Sequence, residues 1–104
     1  MALTLDTGSE SMREASIERR FVNAVERHGG RAPKWVSPGQ RGVPDRIVIL
    51  PGGGVAFVEL KAPGKPLGPL QEKWSERLRG LDHRVYRIDS ADGIDDFIRE
   101  VFPR

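Results

Sequence analysis

The chain has 104 residues, of which 38% are hydrophobic, with 17 Lys and Arg against 15 Asp and Glu; that is enough for one domain around one core. It contains no cysteine, which excludes disulfides, zinc–thiolate sites and thiol catalysis, and no apolar run approaches the ~18 residues of a membrane-spanning helix. The net charge of +2 hides an uneven distribution, because residues 13–87 hold 15 basic against 8 acidic side chains, a net +7 between acidic ends; a basic middle suits a phosphate-rich partner.

In chain order, residues 1–13 are small and polar and read as a flexible N-terminal tail. They lack the basic start and long apolar stretch of a secretory signal, so the expected location is the cytoplasm. Residues 14–104 form the single expected domain. Ser16 is placed to cap a helix running to His28, with Ile17, Phe21, Ala24 and Val25 on one face and Gly29-Gly30 as its stop. RAPKWV then reads as a short strand, which Pro33 confines to an edge or makes irregular. After the loop SPGQRGVP come two strands, Asp45 to Leu50 and Val55 to Lys61, joined by PGGG. Pro69 suits the first turn of a helix reaching Leu81. RVYRI is the next strand, and Ser90 caps a last helix whose early acids Asp92, Asp95 and Asp96 sit where the helix dipole favours them. The expected fold is a small α/β domain, ordered αβββαβα, with a mixed sheet flanked by helices.

The stretch GVPDRIVILPGGGVAFVELK carries the chemistry. A hairpin turning at PGGG makes Asp45 the cross-strand neighbour, or near neighbour, of Glu59, with Cβ atoms roughly 4.5–5.5 Å apart if directly opposite. Two carboxylates facing each other destabilise a sheet unless a divalent cation lies between them. Their hard oxygens select Mg²⁺, Mn²⁺ or Ca²⁺. Lys61 points the same way as Glu59, where its ammonium could orient a water or stabilise charge building at phosphorus. These are the parts needed for metal-assisted phosphodiester hydrolysis. Each residue alone also has a plain reading, as a turn acid or a solvent-facing strand residue; the three together at this spacing favour the site. Lys34, Ser37, Arg41 and Arg46 flank the Asp45 loop, and Lys65 follows Lys61; all five are candidate contacts to a DNA backbone or simply solvated. Trp35 and Trp74 read as core, and His28 and His83 as helix-terminating or surface residues.

GVPD (Gly42 to Asp45) followed by ELK (Glu59 to Lys61) resembles the PD-(D/E)xK nuclease superfamily. The surrounding text, KWVSPGQRGVPDRIVILPGGG, VAFVELKAPGKPLGPLQ and RVYRIDSADGIDDFI, is similar to the small stand-alone VRR-NUC branch found in phages and bacteria. The resemblance covers roughly residues 14 to 100. It implies a restriction-endonuclease-like fold, Mg²⁺ or Mn²⁺ dependence, structure-dependent DNA cleavage leaving a 5′-phosphate, and affinity with Holliday-junction resolvases. It implies Asp45, Glu59 and the Leu60 carbonyl as metal ligands, and Lys61 as the catalytic lysine. Glu18 completes the site on this reading, with Glu14 as the competing acid. Gln71 matches the Gln that opens the second helix, where its amide would bridge Lys61 and a water or phosphate. Cutting both strands of a junction needs two sites, so a homodimer is expected. The alternative is a non-catalytic or partner-activated DNA-binding subunit of a phage or repair assembly.

Overall fold

The computed structural model describes residues 9–102. Helix α1 (Ser9–Arg27) leads into strands β1 (Arg46–Ile49) and β2 (Val55–Leu60), followed by helix α2 (Pro69–Gly80), strand β3 (Arg84–Ile88) and helix α3 (Ala91–Val101). The strands form one sheet in the order β1-β2-β3, with β1 antiparallel to β2 and β2 parallel to β3. No helix among the described residues is long and apolar enough to cross a membrane.

Two local expectations need correction. Helix α1 begins at Ser9 and not at a Ser16 cap, so it takes in residues 9–13 of the predicted tail; no Gly or Pro stands between Gly8 and Gly29 to break it. The rest of that tail lies outside the described residues. The strand predicted over RAPKWV is reduced to two isolated bridges, Arg31 with Ile49 and Lys34 with Arg46. Its backbone does run along β1: Arg31 and Ile49 exchange hydrogen bonds, Ile47 N–H reaches the Pro33 carbonyl, and Trp35 N–H reaches the Asp45 carbonyl. Pro33 has no N–H to return to Ile47, so the ladder breaks there.

Period-two alternation divides the core into two layers. Val48, Ala56, Val58, Leu60 and Ile88 face α1 and α3, where Phe21 and Phe97 pack ring to ring at 5.2 Å. Ile47, Phe57 and Val85 face the other way, against Leu78, Trp74 and Trp35. The tryptophans therefore belong to a core cluster, with ring centroids 5.8 Å apart. Central strand β2 is buried on both faces after its first residue. The α3 cap is as predicted, with the Ser90 hydroxyl accepting from Gly93 N–H at 3.0 Å; α2 begins at Pro69 behind Gly68.

Gly42 locks the loop before β1 onto α2. Its φ is +88°, and a Cβ there would lie 2.6 Å from the Leu70 carbonyl carbon. Gly39 has a similar φ of +79° but open space around it. Gly42→Ala is expected to lower stability by about 2 kcal/mol or more, and Gly39→Ala by only about 1 kcal/mol. Thermal melts of the two variants side by side check this. Equal losses would mean that the Leu70 contact does not matter.

Candidate active site

The β1–β2 register runs from Ile49 opposite Val55 to Arg46 opposite Val58. One step further sets Asp45 opposite Glu59, at the closely spaced, non-hydrogen-bonded kind of pair. Leu60 N–H donates to Asp45 Oδ2 at 2.9 Å, which turns that carboxylate across the mouth of the hairpin. The carbonyl of Leu60 lies on the same strand edge as its N–H, beyond the last residue of β1. Lys61 extends the parallel pairing by donating its N–H to the Ile88 carbonyl. Asp45, Glu59 and Lys61 thus share the sheet face that α2 covers, and Gln71 reaches them from the first turn of α2.

Glu59 and Lys61 are only 4% and 8% exposed, so their charges need partners. Lys61 Nζ lies 3.5 Å from Glu59 Oε2. Gln71 Nε2 donates to the same oxygen at 2.6 Å, while Gln71 Oε1 accepts from the Gly68 N–H at 2.8 Å. Gln71 therefore caps its helix and anchors Glu59 at once. Its partner is Glu59, where the bridge predicted from sequence ran to Lys61.

Glu59 Oε1 is buried with no hydrogen-bond partner among the described residues. Burial, then the charge of Asp45, pushes the Glu59 carboxyl up to about 7. Burial also raises Asp45, against the Leu60 N–H bond, with Glu18 and Glu14 adding to the rise. A buried, unpartnered oxygen beside a second carboxylate of raised pKa is what a divalent cation would relieve, and the donor set is all hard oxygen. Asp45, Glu59 and the Leu60 carbonyl fit such an ion.

Glu18 comes from the opposite layer. Arg46, one residue along β1 from Asp45, points toward α1, and its Nε and Nη2 donate to Glu18 Oε2 at 3.2 and 2.9 Å. Its Nη1 donates to the Ala32 carbonyl at 2.9 Å. The guanidinium of Arg46 thus ties Glu18 to the edge segment. Among the described residues, no three His, Asp or Glu side chains converge as one ligand set. Lys34, Arg41 and Lys65 are exposed and Ser37 is half-buried. The Lys65 backbone is tied down by Arg87, and Gly64 N–H donates to Asp89 at 2.8 Å, which steadies the loop after Lys61.

Sequence reading missed one group entirely. Lys73 and Arg77 of α2 line an open cavity with Arg41, Leu70 and Trp74. Their one-turn spacing was the available signal, but only the fold shows that Arg41 stands across from them.

The family profile of the VRR-NUC domain matches residues 9–92. A protein of Acyrthosiphon pisum secondary endosymbiont phage 1, described as "Putative nuclease p44", is 52% identical over 81 residues, which cover 78% of this chain and 87% of that protein. A solved structure described as "VRR_NUC domain" superposes with a TM-score of 0.81 at 30% identity, covering 86% of this chain and 98% of that one.

Proposed function

The chain belongs to the VRR-NUC domain family of nucleases, and from that premise we propose that it is a Mg²⁺- or Mn²⁺-dependent DNA endonuclease acting at Asp45, Glu59 and Lys61. The observation that carries this is the cross-strand acid pair, with one buried carboxylate oxygen lacking any partner, beside a buried lysine. Asp45, Glu59 and the Leu60 carbonyl would hold the cation. Once bound, it would lower the pKa of a coordinated water and polarise a phosphoryl oxygen.

The protein's own residues do the rest. Gln71 fixes one oxygen of the Glu59 carboxylate, which would leave the other to ligate a cation. The Leu60 N–H does the same for Asp45. Lys61, kept next to Glu59 by charge, presents its ammonium to the phosphate, where it neutralises negative charge that grows as the P–O bond breaks. Glu18 supports the edge of the site: Arg46 holds its carboxylate within electrostatic reach of Asp45. Glu14 has no such clasp among the described ion pairs.

The preferred substrate on this reading is branched or junction DNA, cut by a homodimer so that two sites face two strands. The test is cleavage of matched four-way junction, flap, single-stranded and linear duplex DNA in Mg²⁺ and in Mn²⁺, with the oligomeric state followed by light scattering. Paired nicks in the junction by a dimer support the reading. Equal cutting of all four substrates by a monomer removes both the junction preference and the dimer.

A further inference from the structure

Helix α2 carries three faces. Gln71, Ser75 and Leu78 turn toward the sheet, and Glu72 and Glu76 lie on a separate acidic side. Leu70, Lys73, Trp74 and Arg77, at i, i+3, i+4 and i+7, form a third face. That third face is one wall of an open cavity of about 350 Å³. The other wall is the turn Gly39–Arg41, pressed onto α2 by the Gly42–Leu70 contact.

Arg41, Lys73 and Arg77 supply three cations to this cleft, and no acid among the described residues lines it. None of the three makes a salt bridge among the described residues. Lys73 and Arg77 are like charges one turn apart, an arrangement that weakens a helix. Arg77 lies over the Trp74 ring, 5.0 Å from its centroid, so its guanidinium is oriented and not free to wander. Each wall also leads straight into the active site. Arg41 is four residues before Asp45 on one loop, and Leu70 adjoins Gln71 on the helix.

Resting on the nuclease reading above, we propose that the Arg41–Lys73–Arg77 cleft holds the sugar-phosphate backbone of the DNA strand next to the phosphodiester at Asp45, Glu59 and Lys61. The contact is to phosphate, so it positions the strand without reading its sequence. Lys73 and Arg77 lie about 6 Å apart along the helix axis, on the scale of neighbouring phosphates of one strand.

The test is fluorescence anisotropy of a labelled DNA duplex in EDTA, titrated over a range of salt concentrations. Wild type is compared with Lys73→Ala/Arg77→Ala, with Arg41→Ala, and with Arg27→Ala as a control matched in charge to the Arg41 variant. Arg27 lies in the last turn of α1, at the hairpin-turn end of the sheet. Each phosphate contact contributes about 0.9 to the slope of log K against log salt. The double variant is expected to lose close to 2 from that slope and to bind at least ~10-fold more weakly at about 0.1 M salt, with Arg41→Ala losing about half as much slope and Arg27→Ala close to wild type. In cleavage assays the cleft variants should raise KM and keep kcat. If wild type binds and the cleft variants do not, the cleft stands even if no metal supports cutting. Unchanged slopes in the cleft variants, or a loss no larger than that of Arg27→Ala, would overturn it while leaving the cleavage chemistry untouched.

Discussion

Lys61→Ala should lower kcat for DNA cleavage by roughly 10²- to 10⁴-fold while leaving DNA binding close to wild type. Lys61 is buried, and its ammonium is 3.5 Å from Glu59 Oε2. Buried this far, it can meet only the reacting phosphate and not the rest of the DNA backbone, so its loss belongs in the chemical step and not in affinity. Lys61→Met keeps the aliphatic stem and should be equally inactive, which separates loss of charge from loss of packing. Lys61→Arg should not restore full activity, since a planar guanidinium does not fit where a compact ammonium was packed. Single-turnover rates with saturating protein give the comparison. If DNA binding falls and the single-turnover rate does not, Lys61 is a binding residue and its place in the chemical step is refuted.

The second large effect is on stability, and it couples to the metal. Glu59 titrates at about 7 because it is buried first, and beside Asp45 second. The unfolded chain would ionise it near the ordinary value of 4.5. A carboxyl whose pKa is higher in the folded state binds more protons there. Its favourable contribution is therefore complete below the unfolded value and is lost as pH rises through the folded value. In EDTA, stability is expected to fall from about pH 5 to about pH 8, by an amount on the order of 3 kcal/mol. The melting temperature should drop by ~12 °C or more over that interval. Glu59→Gln should flatten the profile, since an amide carries no proton to lose. Added Mg²⁺ or Mn²⁺ should stabilise the wild type most at the alkaline end, where the carboxylate is ionised without displacing a proton. A wild-type profile that rises with pH over this interval, or one that matches Glu59→Gln, would refute the raised carboxyl.

Much of the frame was legible from local signals. The PGGG turn and the flanking apolar runs set the hairpin, and its register is what brings Asp45 level with Glu59. Pro69 and Ser90 marked the starts of α2 and α3 because their roles depend on backbone chemistry within a few residues. What stayed hidden depends on contacts between distant segments. Nothing near Arg46 shows that its guanidinium will close on Glu18, 28 residues earlier. Gln71 was singled out, but only the packing of α2 on β2 names Glu59 as its partner. The Arg41 turn and the Lys73–Arg77 face are far apart in sequence and meet because Gly42 admits Leu70. The start of α1 failed for another reason: several residues there tolerate a helix equally well, and Ser16 was only the most recognisable cap.

The most direct test of the central claim is nicking of covalently closed circular DNA, which has no ends for an exonuclease. Wild type and Asp45→Asn are compared in Mg²⁺, in Mn²⁺ and in EDTA. Wild type should nick the circle with either cation and not in EDTA. The asparagine variant keeps the Leu60 N–H contact through its amide oxygen and loses only the charge, so it should bind DNA and leave the circle closed. Nicking that persists in EDTA, or that survives Asp45→Asn undiminished, would contradict a metal-dependent site at the Asp45–Glu59 pair.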